Sequence, residues 1–147
     1  MEKLNFPGYS FRTKNNENRV SIFDVVRKKF VVLTPEEWVR QHVVHFLIHE
    51  KNYPLSWINV EKQLKVAGLS KRYDIVVYDP QGNVQLMVEC KASTVNIGQD
   101  TFDQIARYQM ALNAQLLMVT NGLDHYYCQL QPEKKAYQFL SSLPAHD

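Results

Sequence analysis

No stretch of this sequence approaches the roughly 18 uninterrupted apolar residues of a membrane-spanning helix, and the polar start, Met1 to Asn18, lacks the apolar run of a secretory signal. The expectation is a cytoplasmic protein with no membrane partner. Cysteine is scarce: Cys90 and Cys128 are the two present, on predicted strands and without C-x-x-C spacing, which points to reduced, buried thiols. Glycine is scarce as well, at 5 residues, and no G-x-x-x-x-G-K-[ST] phosphate loop occurs. Charge of one sign is not in excess, since 17 Lys+Arg against 15 Asp+Glu leave +2. That balance permits contact with a phosphate backbone but lacks the strongly basic signature of a dedicated nucleic-acid binder. Internal repeats, low-complexity tracts and linkers are absent, so the 147 residues, 45% hydrophobic, read as one domain. Such a chain buries roughly two thirds of the surface its unfolded form exposes.

What is present is taken as a polar leader (1–19), a single domain (20–140) and a fraying tail (141–147). Phe6, Tyr9 and Phe11 of the leader are placed to dock on the domain. Val20–Val26 and Phe30–Leu33 read as a hairpin with Arg27, Lys28 and Lys29 at its tip, a solvated turn or a weak phosphate contact. Thr34-Pro35-Glu36-Glu37 is a helix start, with Thr34 as N-cap, Pro35 in the first turn and Glu37 closing a capping box. The helix should run to about Lys51 and turn Val39, Val43, Val44, Phe46, Leu47 and Ile48 to the core. Glu37 and Arg40 fall within that arc. Two readings of Glu37 stand open: the capping box alone, or a carboxylate aimed at the sheet near Lys91 or a metal. His42, His45 and His49 line the opposite arc, where an exposed or partner-facing stripe is favoured over a zinc site.

Trp57–Leu64 alternates as a strand, 67–71 reads as a loop, and 72–79 with 84–91 form a hairpin turned by Pro80-Gln81-Gly82-Asn83. A helix over 100–113 exposes Gln104 and Tyr108 on one face. Strands at 115–120, 126–130 and 136–140 follow. A crossover from the second hairpin strand through that helix makes the next strand parallel, which gives a mixed sheet with helices on its faces.

The central hairpin carries the chemistry. Ile75, Val76, Val77, Leu86, Met87 and Val88 mark buried strands, yet Asp74, Glu89 and Lys91 stand at their ends, where a carboxylate needs a cation or a donor. Glu89 and Lys91, two apart, share a face. Asp74, Glu89 and the Cys90 backbone carbonyl are hard oxygen ligands suited to Mg²⁺, and Lys91 could orient or deprotonate a water during phosphodiester hydrolysis. A network that merely holds the sheet together is the competing reading.

Asp74 with Glu89-Cys90-Lys91 resembles the Asp…(Asp/Glu)-x-Lys signature of the restriction-endonuclease-like, or PD-(D/E)XK, nuclease superfamily. Thr34–Gln41, Arg72–Asp79, Val88–Ala92 and Gln104–Tyr108 together resemble the N-terminal nuclease domain of type I restriction enzyme R subunits and its small stand-alone relatives. The resemblance implies an α/β fold with an αβββαβ core behind an N-terminal β-hairpin. It also implies a Mg²⁺- or Mn²⁺-dependent nuclease acting on nucleic acid, DNA first, as a homodimer or with a partner subunit. By position, Asp74 and Glu89 would bind metal, Lys91 would assist the water, and Glu37 would complete the acidic cluster. Gln104 and Tyr108 would match the Gln-x-x-x-Tyr element that supports the site and DNA in RecB-like relatives, and Arg72 would be a weak nucleic-acid contact. Tyr73 replaces the proline of the superfamily name. Without a phosphate loop the chain is not expected to translocate DNA alone. A non-catalytic nucleic-acid-binding or protein-interaction module on the same scaffold is the alternative.

Overall fold

The computed structural model describes residues 1–66, 68–134 and 136–146; Ala67 of the expected loop and Asp147 of the expected tail lie outside them. An antiparallel sheet comes first, ordered β1 (Thr13–Asn16), β2 (Arg19–Asp24), β3 (Lys29–Val32). Then follow α1 (Pro35–His49), β4 (Ile58–Val66), β5 (Leu69–Tyr78), β6 (Val84–Cys90), α2 (Gln99–Met110), β7 (Leu116–Thr120), β8 (His125–Gln131) and β9 (Ala136–Leu140). Strands β4 to β9 form one mixed sheet in sequence order, with β6 and β7 parallel and every other pair antiparallel. This is the expected α/β architecture, with the αβββαβ core running from α1 to β7.

Side-chain alternation splits the core in two. Val39, Val43, Val44 and Leu47 of α1 pack against Ile75, Val77, Leu86, Val88 and Met118. Phe102 and Ile105 of α2 pack on the other face against Val76, Met87, Leu117 and Val119. Strands buried on both faces in this way read as continuous apolar runs. Helix α1 starts as expected, the Thr34 hydroxyl accepting the Glu37 N–H at 3.0 Å. No helix among the described residues is long and apolar enough to cross a membrane.

Several boundaries differ from the sequence reading. Polar residues 13–16 form strand β1 because Glu17 (φ 50°) and Asn18 (φ 68°) adopt a tight hairpin turn with both residues left-handed. Val25 and Val26 leave the strand because the Asp24 carboxylate accepts the Val26 and Arg27 N–H groups at 2.7 and 3.0 Å and bends the chain. Strand β5 starts at Leu69 rather than Arg72, since the β4–β5 ladder continues to Val66↔Leu69 with Gly68 at φ 80°. The tail does not simply fray, because Leu143 is buried in the α1-side core.

The histidine stripe is covered in part: His42 is buried and His45 half-buried, while His49 is exposed as expected. Phe11 lies 4.8 Å from the His42 ring and 4.9 Å from that of His45, Tyr9 stacks near His49, and the Tyr9 hydroxyl bonds the Glu50 carboxylate. His42 Nδ1–H donates to the Trp38 carbonyl at 2.8 Å, and burial holds the ring's pKa below its usual value. The leader thus docks through its aromatic residues, and among the described residues no three His, Cys, Asp or Glu side chains are grouped to hold a metal unaided.

The leader also reaches the far end of β7. Asn5 N–H donates to the Gly122 carbonyl at 2.8 Å, and Gly122 has φ 89°. A Cβ there would stand 2.9 Å from Leu4 Cδ2 and 3.1 Å from Val39 Cγ2. Gly122→Ala therefore combines a left-handed backbone with overpacking and should cost about 2 kcal/mol in urea denaturation. Wild-type stability for this variant would show that the docked leader adds nothing to the core.

Candidate active site

The site begins with a fault in the sheet. The β4–β5 ladder pairs Val60↔Ile75 and Lys62↔Tyr73 but omits the intervening Glu61 and Asp74, and Glu61 sits at φ 54°. A left-handed non-glycine residue inside a strand is costly and persists only where its surroundings enforce it. Alternation breaks across the fault, since Tyr73 joins the α2-side cluster and Ile75 the α1-side cluster. Asp74 is thereby released from the ladder to bond in two directions. Its Oδ2 accepts the Cys90 N–H at 2.7 Å, and its Oδ1 accepts Arg40 Nη2 at 3.0 Å.

Arg40 is the hub on the α1 side. Its guanidinium reaches Glu37 Oε1 at 2.7 Å, Glu36 Oε1 at 3.0 Å and Glu61 Oε1 at 3.2 Å besides Asp74. A planar fork of donors suits several carboxylates at once. Burial alone would lower its pKa, but these acids outweigh that and raise it. Glu37 is 5% exposed; its Oε1 also accepts Arg27 Nη2 at 2.9 Å and its Oε2 accepts Gln41 Nε2 at 3.0 Å. Only the Glu37 N–H meets the Thr34 cap, while its carboxylate turns to Arg27, Arg40 and Gln41 and meets Asp74 only through Arg40.

On the α2 side, Glu89 faces Asp74 from the neighbouring strand, and Lys91 Nζ lies 3.6 Å from Glu89 Oε1. Burial pushes the Glu89 carboxyl up to about 7, with the Asp74 charge and a hydrogen bond to it adding to the rise, against the pull of Lys91 and Lys71. Glu36 is raised for the same reasons, burial first and then Asp74, opposed by Arg40. Cys90 points its N–H toward Asp74, and in a strand the carbonyl of the same residue leaves by the same edge. A shallow cavity of about 190 Å³ brings Glu89 and Lys91 together with Gln104, Tyr108 and Lys71.

Glu89, Lys91, Gln104 and Tyr108 therefore line one cleft, and Asp74 adjoins it through Glu89 and the Cys90 N–H without lining it. The basic hairpin tip divides. Arg27 turns inward to Asp24 (2.6 Å) and Glu37, whereas Lys28 and Lys29 are exposed. Arg27 is thus an internal ion-pair partner rather than a solvated phosphate contact, because Asp24 caps the same turn. Arg72 is exposed, 3.4 Å from Glu61. Sequence reasoning did not assign Glu36, Arg40, Glu61 or Lys71 to the site. The Glu36-to-Arg40 spacing of one helical turn was a usable signal, but Glu61 depends on a strand irregularity that no local pattern announces.

Glu89 titrates above its ordinary value of 4.5, so folding takes up a proton between about pH 4.5 and 7, and stability falls as pH rises through that window. Glu89→Gln cannot ionise. In metal-free buffer it should exceed wild type in stability by about 1–3 kcal/mol near pH 8, and the gain should shrink toward pH 5. Urea denaturation at both pH values reads this, and an equal gain at the two would contradict a raised Glu89.

No curated protein matches the chain. A family model described as Type I restriction enzyme R protein N terminus matches residues 35–144, which include α1, the faulted hairpin, α2 and all six strands of the mixed sheet. With about three quarters of its length matched, the chain belongs to the family of type I restriction enzyme R protein N-terminal domains.

Proposed function

We propose that this domain is a metal-dependent nuclease that hydrolyses phosphodiester bonds in DNA, in a restriction-related role. The observation that carries the reading is the half-buried pairing of Asp74 with Glu89, whose carboxyl is pushed up to about 7 beside Lys91. Two carboxylates held this close lack sufficient positive charge, and a divalent cation would relieve their repulsion. The donor set fits Mg²⁺ or Mn²⁺. Asp74, Glu89 and the Cys90 carbonyl offer hard oxygen atoms, and an ion there would take the place of the proton that Glu89 shares with Asp74. The ion would supply Lewis-acid stabilisation of the charge that develops on the phosphate.

The chain's own residues do the rest. Arg40 and the Cys90 N–H fix the Asp74 carboxylate in place. Lys91, held near Glu89, can orient the attacking water or accept its proton. Gln104 and Tyr108 on α2 form the wall against which a DNA strand would lie. Sequence specificity and a motor are not part of this reading, and a partner subunit would have to supply them.

One observation favours a second reading, a non-catalytic nucleic-acid-binding or interaction module. Arg40 already places a positive charge at 3.0 Å from Asp74, so the acids could be a purely structural cluster. Incubation of supercoiled plasmid and single-stranded DNA with Mg²⁺ or Mn²⁺ separates the two. The nuclease reading expects cleavage by the wild type, lost by about a hundredfold or more in Asp74→Asn and Lys91→Ala. It also expects the metals to raise the wild-type melting temperature and not that of Glu89→Gln. Cleavage retained by both variants, or no cleavage and no metal-induced shift, would leave the module reading in its place.

A further inference from the structure

The β4–β5 hairpin runs beyond the sheet. Strand β6 pairs with β5 from Ile75↔Val88 to Tyr78↔Val84, whereas β4 and β5 go on pairing with each other from Lys62↔Tyr73 to Val66↔Leu69. The result is a two-stranded ribbon standing past the acidic cluster. Residues 62–73 include four cations, Lys62, Lys65, Lys71 and Arg72, and no acid, in a chain whose net charge is only +2. Partners across an antiparallel pair share a face. Lys62 with Tyr73 and Leu64 with Lys71 therefore form one face, which turns toward α2: Lys71 Nζ is 4.0 Å from the centre of the Tyr108 ring and 5.2 Å from that of Tyr73.

Between this face and α2 lies a cavity of about 450 Å³ walled by Leu69, Lys71, Tyr73, Arg107 and Tyr108. Its walls are unusual in three ways. Leu69 and Tyr108 are large apolar side chains left 73% and 48% exposed, and the Tyr73 hydroxyl is buried with no hydrogen-bond partner. Lys71, Gln104 and Tyr108 also line the smaller cavity that contains Glu89 and Lys91, so the two spaces adjoin along one wall. An aromatic and aliphatic slot rimmed by Lys71 and Arg107 suits a flat apolar base attached to an anionic phosphate. A base inside a duplex is stacked on both faces and has no free face to offer, so only an unpaired nucleotide can enter.

We infer that the cleft between the β4–β5 ribbon and α2 binds one unpaired nucleotide of a DNA strand, its base against Tyr108 and Leu69 and its phosphates on Lys71 and Arg107. The binding site stands independently of hydrolysis; that it presents the adjoining phosphodiester to Asp74, Glu89 and Lys91 rests on the nuclease reading above.

Fluorescence anisotropy in EDTA tests the site without cleavage, using a labelled oligothymidylate and a labelled blunt hairpin duplex. Wild type should bind the single strand at least tenfold more tightly. Tyr108→Ala should weaken single-strand binding by about tenfold and leave duplex binding within about twofold, Arg107→Glu should weaken binding of both DNAs, and Tyr108→Phe should retain single-strand binding. Equal affinity for the two DNAs, or single-strand affinity unchanged in Tyr108→Ala, overturns the inference. Selective, Tyr108-dependent binding by a protein that never cleaves in Mg²⁺ upholds the nucleotide site and sinks only the nuclease reading. Cleavage without Tyr108 dependence does the reverse.

Discussion

One guanidinium joins the parts of this domain that meet at the site. Arg40 leaves α1 and bonds to two acids of its own helix, one of β4 and one of β5. Glu37 passes the connection to Arg27 and Asp24 in the β2–β3 turn. A buried cation is costly unless its donors are met, and the removal of one member of such a cluster leaves charges stranded at several kcal/mol. The N-terminal sheet, α1 and the start of the mixed sheet are therefore held in one arrangement by charge as well as by packing. The Glu61 backbone is part of that bargain. Its left-handed conformation is unfavourable by itself, and the contact of its carboxylate with Arg40 at 3.2 Å is what the distortion gains.

The same distortion has two consequences on opposite sides of the sheet. It frees Asp74 from the ladder toward Arg40 and the Cys90 N–H. It also shifts the alternation beyond it, so that Tyr73 and Lys71 face α2 instead of α1. A regular strand pair would have sent these side chains to other faces, since a shift of one residue reverses every side chain that follows. The acidic cluster and the basic ribbon thus have a common structural origin at Glu61 and Asp74.

Local chemistry made much of this legible. The Thr34 cap, the start of α1, the 84–90 strand with its acid and lysine, and the edge strand Ala136–Leu140 follow from capping residues and runs of apolar or alternating residues. The exposed face with Gln104 and Tyr108 follows from helical spacing. What sequence could not show depended on distant partners. The aromatic residues of the leader could be read as docking on the domain, but without periodicity they did not indicate that Phe11 and Tyr9 would lie against His42, His45 and His49. The azimuth of Arg40 was readable and its importance was not, because Glu61 and Asp74 reach it only through a break in strand pairing. Residues 69–71, a short segment close to a glycine, resembled a loop and form the ribbon instead.

The distribution of paired and unpaired cations gives the surface a direction. Arg27 and Arg40 are consumed by acids inside the domain, and the leader covers the outer side of α1. Lys28 and Lys29 at the turn and the lysines of the ribbon are among the described cations with no carboxylate this close, and the base of the ribbon adjoins that turn through Arg27 and Glu61, 3.9 Å apart. Attraction of a polyanion should therefore act along the ribbon side, although the overall charge is close to neutral. Glu89 and Lys91 open toward that same side beside α2, while Asp74 is closed off on the other by Arg40. A strand drawn in along the ribbon would meet the acids from the one side that Arg40 does not occupy, so the ion pair that stabilises the fold also sets the direction of approach to the site.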